Sequence, residues 1–305
     1  MSDLVVKDNR LVEASYTLDM VEQRLILLAI TEARETGRGI TKNSLLSIHA
    51  SSYINTFHVE KNTAYEVLKA ASKSLFDRYV TYHDINPETK QNRSFHCRWV
   101  DKIGYEDHSG IVYLRFTQDI VPLITRLEEN FTKYELQQIS RLTSAYAIRL
   151  YELLIQWRSV GKTPVFDLTI FRSQLGVEPD QYKTMSNFKR FVLDFALAQV
   201  NEFTDIKAKY EQYKMGRTIT GFSFTFKSKI SKTEITSKNK NAYIDFTQKQ
   251  LDLFAHKLAR LPELSHLAVE GQSYEDFEKP LKEMLKSPEK QKGLIKFLEK
   301  VGYKP

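Results

Sequence analysis

Residues 183 to 190 read Lys-Thr-Met-Ser-Asn-Phe-Lys-Arg, and their types and spacing suit the reading of a nucleic-acid groove. Ser186 or Asn187 can cap a helix that continues through Phe188-Lys189-Arg190-Phe191-Val192. Asn187, Lys189 and Arg190 then fall in its first turn, and the phenylalanines are expected to face a core. An arginine can bond bidentately to guanine and an asparagine to adenine. Lys183 and Lys189 suit phosphates, which fix register and carry no base information. A second basic point follows at Lys214-Met215-Gly216-Arg217, at the tip of a predicted hairpin, where Lys214 and Arg217 would touch a backbone or a minor groove.

The elements that must hold these side chains occur twice. In the first stretch an apolar stripe of Val21, Leu25, Leu28 and Ala29 is followed about forty positions later by Tyr65, Leu68, Ala71 and Leu75. In the second, Ile148, Tyr151, Leu154 and Ile155 take the first part, and Phe188, Phe191, Val192 and Phe195 the last. These offsets lie on one face of a helix. After each closing helix the period changes to two: Phe95 to Val100 with Ile111 to Phe116, then Ile206 to Tyr210 with Thr218 to Phe226. Helix, helix, helix and hairpin is the order of a winged helix, so the expected fold is α+β with two such domains in tandem.

The chain has 305 residues, more than one core usually supports, and an ordinary apolar fraction of 42%. No apolar run approaches the roughly 18 residues that span a bilayer, and Met1-Ser2-Asp3-Leu4 has no leader pattern, so no membrane partner and a cytoplasmic location are expected. The single cysteine, Cys97, has no thiol partner and reads as a buried, inert strand residue. Charge is unevenly spread. Residues 1–130 hold 16 Lys+Arg against 18 Asp+Glu, residues 131–232 hold 16 against 9, and residues 233–305 hold 13 against 11, giving −2, +7 and +2. A basic second module beside a nearly neutral first points to a polyanion partner, since each neutralised phosphate releases counterions.

Domain limits follow from composition. Residues 1–16 read as a polar arm, 17–130 as the first module and 131–227 as the second. Leu127 to Arg141 looks like a helix or half-helix, with Phe131, Tyr134 and Leu136 as contact points. Residues 228–241 form a polar linker, and 242–305 a helical tail whose second helix is interrupted near its middle by Pro280.

Motifs for catalysis are missing. No phosphate loop, dinucleotide turn, Cys-x-x-Cys or His-Glu-x-x-His occurs, and the seven histidines (49, 58, 83, 96, 108, 256 and 266) never flank a single apolar residue as a nicking enzyme requires. Neither an enzyme nor a cofactor is expected. Recognition is what remains.

The run Leu142-Thr143-Ser144-Ala145-Tyr146-Ala147-Ile148-Arg149-Leu150-Tyr151-Glu152-Leu153-Leu154, followed by Phe171-Arg172-Ser173-Gln174-Leu175-Gly176-Val177, Tyr182 and Phe188-Lys189-Arg190-Phe191-Val192, resembles the iteron-binding plasmid replication initiators. Glu22-Gln23-Arg24-Leu25, Thr63 to Ala71 and Leu75-Phe76-Asp77-Arg78 are similar to the amino-terminal half of the same family. The resemblance covers about residues 10 to 227. It implies two winged-helix domains, a monomer on directly repeated double-stranded origin DNA, and a dimer formed through the first domain that cannot initiate and represses its own gene. It also implies recruitment of the host replication initiator and the replicative helicase. Carried onto this chain, the main base reader is the helix starting near Ser186. The weaker reader starts near Asn62, with Lys61, Asn62, Thr63 and Lys69 as candidates beside the acidic Glu60 and Glu66. Tyr65, Leu68, Tyr151 and Trp157 are expected in the core, and Tyr146 and Tyr151 are not expected to stack on bases.

Three functions stay open on the residues: a replication initiator, a winged-helix transcriptional repressor without a replication role, and a module that binds RNA or protein through an open strand edge of the first domain. Tandem repeats of about 20 base pairs beside the gene would mark the first, and an isolated palindrome the second.

Overall fold

The computed structural model describes residues 3–125, 127, 129–229, 246, 248–268, 272–301 and 303. They form two compact units, residues 1–229 and 230–305.

In the first unit β1 (Leu4–Asp8), α1 (Asn9–Val12) and β2 (Ser15–Tyr16) precede α2 (Met20–Thr36). Asp19 starts α2 with a capping box: its carboxylate accepts from the Val21 and Glu22 amides at 2.8 Å, while Glu22 accepts from the Asp19 amide at 2.8 Å. Next come β3 (Leu46–His49), α3 (Ala50–Phe57) and α4 (Lys61–Ser74). The strands β4 (Tyr79–Ile85), β5 (Asn92–Arg98), β6 (Val100–Glu106) and β7 (Ile111–Phe116) complete the first winged helix. The runs expected to pair with each other lie in different sheets. One sheet has the order β2-β4-β5 and the other β3-β7-β6, and Trp99, fully buried between β5 and β6, marks the crossing.

Two expectations fail in the connecting region. Residues 4–16 are no loose arm: β1 runs antiparallel to β8 (Phe131–Glu135), and Val5, Val6, Leu11 and Val12 are buried. The stretch expected to be helical is therefore a strand from 131 to 135, with Thr132, Tyr134 and Leu136 buried at the alternate spacing of a strand. A threonine in place of an apolar residue hid that alternation. Short helices α5 (Val121–Ile124) and α6 (Gln137–Ser140) flank this strand.

The second winged helix follows: α7 (Ala145–Ile155), β9 (Phe166–Asp167), α8 (Leu168–Gln174), then α9 (Met185–Phe188) running through a π-turn at Lys189–Leu193 into α10 (Asp194–Phe203). The long hairpin β10 (Ile206–Met215) and β11 (Thr218–Ser228) pairs back to β9, giving the order β10-β11-β9. One continuous core runs from Val5 to Phe226, so the two winged helices pack as one body. At their junction Gly176 sits at φ +81°, and a Cβ there would lie 2.8 Å from the Tyr16 carbonyl oxygen, so a larger residue would force the modules apart.

The same junction holds a buried ionic knot. Arg149 donates to Tyr16 Oη at 2.6 Å, to Glu152 at 2.8 Å, and to the carbonyls of Val12, Ala14 and Gln174 at 2.8 Å each. Glu152 also accepts from Lys7 Nζ at 2.6 Å and Tyr134 Oη at 2.7 Å. Burial pushes the Glu152 carboxyl upward, but Lys7 and Arg149 outweigh it and hold it below its ordinary value. Such a knot is costly to desolvate, and every partner matters because removing one strands a buried charge.

The second unit has α11 (Gln248–Leu258), a 3₁₀ turn at Pro262–Leu267, α12 (Tyr274–Lys286) and α13 (Pro288–Lys300) around its own core, including Leu258, Phe277, Leu281 and Leu298. Pro280 does not interrupt α12, which stays helical on both sides of it. The expected linker at 228–241 lies outside the described residues from 230 onward.

Candidate nucleic-acid interface

The helix opening at Met185 is positioned from behind. Arg172 on α8 donates to the carbonyls of Tyr182 at 3.1 Å and Gln181 at 2.6 Å, and its guanidinium lies 4.8 Å from the centroid of the Phe188 ring. That grip fixes the turn leading into the helix, where Tyr182 has a left-handed φ of +43°. The cap is Thr184, whose hydroxyl accepts from the Asn187 amide at 3.3 Å. Ser186 and Asn187, expected as caps, instead occupy the first turn with exposed side chains. The signal for Thr184 was present, since threonine is a good cap, but the adjacent serine and asparagine masked it.

Lys183, Ser186, Asn187 and Arg190 are all exposed around this first turn. Lys189 is half-buried: its ammonium reaches Gln212 Oε1 at 3.3 Å and lies 5.5 Å from the Tyr210 ring centroid, tying the helix to the hairpin. The expected core face is also changed. Phe188 and Val192 are buried, but Phe191 and Phe195 are 46% and 50% exposed. The π-turn at 189–193 is the reason, because its wider hydrogen-bonded loop advances the buried face to Val192, Leu193 and Ala196. Arg190 and Phe191 consequently project together from the helix, the guanidinium 5.1 Å from the ring centroid.

The hairpin ends in a two-residue turn, with Gly216 at φ +61° and Met215 opposite Thr218. Lys214, Met215 and Arg217 are exposed there, and Met215 is 77% exposed.

The first module offers less. Glu60 caps α4, accepting from the Thr63 amide at 3.0 Å and lying 3.4 Å from the Thr63 hydroxyl, so Thr63 is already engaged. Lys69 is paired with Asp107 at 2.5 Å. Of the candidates, Lys61 and Asn62 are exposed, without such partners among the described residues. Cys97 is half-buried and its thiol is pushed up to about 11 by desolvation and Asp119, far from a reactive thiolate. Among the described residues no group of three or more His, Cys, Asp or Glu could hold a metal, and no helix is long and apolar enough to cross a membrane. Tyr151 and Tyr146 are taken up in packing, Tyr151 fully buried and Tyr146 edge-on to Tyr182.

Comparison with known proteins bears on this geometry. Residues 4–155 match the family described as "Initiator Replication protein, WH1", and residues 167–226 match "Initiator Rep protein, WH2". The first match runs past the boundary expected at residue 130, as the pairing of β1 with β8 requires. Two Escherichia coli relatives are each 27% identical over 68% of this chain. One is an uncharacterized 27.6 kDa protein covered over 88% of its length, and the other a replication initiation protein covered over 65%. Among solved structures, the Pi initiator protein in complex with iteron DNA superposes with a TM-score of 0.60 at 20% identity, over 75% of this chain and 99% of that one. The WH1 domain of a replication protein isolated from a multiple sclerosis patient is 54% identical over 37% of this chain and 86% of that one, with a TM-score of 0.30. The chain belongs to the initiator replication protein family, and its first unit is that family's pair of winged-helix domains.

Proposed function

We propose that this protein initiates plasmid replication by binding direct repeats of double-stranded origin DNA as a monomer through both winged helices. The carrying observation is the second module's helix start, where Ser186, Asn187 and Arg190 are exposed beside a hairpin tip that exposes Lys214 and Arg217. In this reading Asn187 and Arg190 meet base edges in the major groove, Lys183 and Lys189 set the register on phosphates, and Arg217 lies on backbone or minor groove. Lys61 and Asn62 add a weaker contact from the first module. The Pi initiator, which has the same fold, was solved on iteron DNA.

The finer parts of the proposal are a dimer through the first module, which represses the protein's own gene and does not initiate, and recruitment of the host initiator and replicative helicase. The open edge of the β2-β4-β5 sheet supports the first of these, because β5 leaves one side unpaired and exposes Phe95. The role has no catalytic step and needs no cofactor. The test is binding of the full chain, at physiological salt, to a duplex carrying the tandem repeats beside its gene and to a random duplex of equal length. A preference of roughly 10³ or more is expected for a specific binder. Equal affinity would overturn the reading, and preference for a lone palindrome would replace it with a repressor.

A further inference from the structure

The base of the second hairpin carries a charged face that DNA reading leaves unused. Residues paired across a sheet share a face, so the register places four lysines together. Lys207 lies opposite Lys227, Lys209 opposite Thr225, and Thr225 is bridged on its other side by Lys162. All four lysines are exposed, and none is paired with a carboxylate among the described residues. Thr225 sits between two of them with a buried hydroxyl that has no hydrogen-bond partner. Nearby charges are engaged elsewhere: Asp205 is held by Arg158 at 2.8 Å, and Lys229 donates to the Thr204 carbonyl at 2.7 Å. Glu211 is the next residue on the row of Lys207 and Lys209.

This face is turned away from the reading helix. Tyr210 donates to Asp194 at 2.8 Å and Gln212 meets Lys189, so these residues point toward α10 and the π-turn before it. Lys207 and Lys209, one step out of phase on the pleat, point the other way. Lys209 is also six residues from Met215 at the tip, roughly 20 Å along the strand.

The surface is a trough of about 710 Å³, not a convex ridge, and Val160 on its rim is 67% exposed. Like charges placed directly opposite each other, as Lys207 and Lys227 are, destabilise a hairpin unless a partner neutralises them. A DNA backbone would use the lysines but not the apolar rim. We propose that this face docks an acidic segment of a partner protein, with carboxylates meeting Lys162, Lys207, Lys209 and Lys227 and an apolar side chain packing on Val160 and the lysine stems.

The probe is a short fluorescent peptide alternating glutamate and leucine, titrated into the full chain by anisotropy, beside the same peptide with glutamine for glutamate. Saturable binding of the acidic peptide is expected, weakened about tenfold or more by the glutamine version and by the double variant Lys207→Glu/Lys227→Glu, while the affinity for the repeat duplex at physiological salt, where distant charges are screened, stays within about twofold. Should that variant fail to fold, Lys207→Gln/Lys227→Gln gives the same comparison without new charge. Lys227→Glu alone should raise the thermal midpoint, because it turns cross-strand repulsion into attraction. Absence of saturable binding, equal binding by wild type and variant, or loss of DNA affinity in parallel with peptide affinity would each overturn the proposal, the last by assigning the lysines to DNA.

Discussion

The helix that opens at Lys61 and the helix that opens at Met185 hold the same place in two copies of one module, yet their first turns are wired differently. At Lys61 the cap is a carboxylate, Glu60, which engages Thr63, and Lys69, two turns further on, is neutralised by Asp107. At Met185 the cap is a neutral hydroxyl, Thr184, and the exposed Lys183, Asn187 and Arg190 have no acid among them. An acidic cap suits a helix dipole but repels phosphate, whereas a hydroxyl cap satisfies the same amide and leaves the potential positive. On the proposed function, changing the few side chains at a helix start makes one copy of the fold the main reader and the other the weaker one.

The comparison depends on the two copies being one body, and the largest expected effect tests that. Glu152→Ala should destabilise the first unit by about 3–5 kcal/mol, because it leaves Lys7 and Arg149 buried without a counter-charge. Thermal unfolding would measure this, with both modules lost in a single transition; separate transitions would mean the knot does not couple them. The pH dependence has a definite sign. Since the Glu152 carboxyl is held below its ordinary value, its stabilisation is complete above the unfolded value, about 4.3, and is lost as pH falls through the folded one. Glu152→Gln should therefore flatten the acid limb of the wild-type stability profile.

Next in size is the cap. Thr184→Ala should cost about 1 kcal/mol in chemical denaturation and weaken DNA binding by loosening the first turn. A loss of stability with DNA affinity intact would separate the cap from reading. Arg217→Ala should weaken all sequences alike and reduce the salt slope of binding by about one unit; a sequence-dependent loss would move this wing residue among the base readers. The smallest effect belongs to the first module. Asp107→Asn frees Lys69 from an exposed pair worth little to stability, so the thermal midpoint should hardly move while affinity for every duplex rises slightly. If affinity is unchanged, α4 lies away from the DNA.

Much of this architecture was legible in the sequence because buried helix faces repeat with a fixed period: the stripes at Leu25 and Leu28, at Leu68 and Ala71, and at Ile148 and Tyr151 are all in the core. What escaped was non-local or broke a period. Lys7 and Asp8 make the first strand look like a polar arm, and only the fold shows Lys7 meeting Glu152, 145 positions away. The π-turn at 189–193 shifted Phe191 and Phe195 out of the face that an ideal helix would bury. The candidate site was legible in its residue types and in its place at a helix start. The pairing of Lys69 with Asp107, which takes up one of the first module's candidate cations, needed the β6–β7 turn to be placed beside α4.

The most direct test of the division between the two helix starts is a base-by-base affinity profile on repeat duplexes, each altered at one position, for the wild type, Arg190→Ala and Lys61→Ala. Arg190→Ala should lose about 1–3 kcal/mol and flatten the profile at one or two positions, while Lys61→Ala lowers the whole profile evenly and by less. A profile left in shape by Arg190→Ala but flattened by Lys61→Ala would contradict the account.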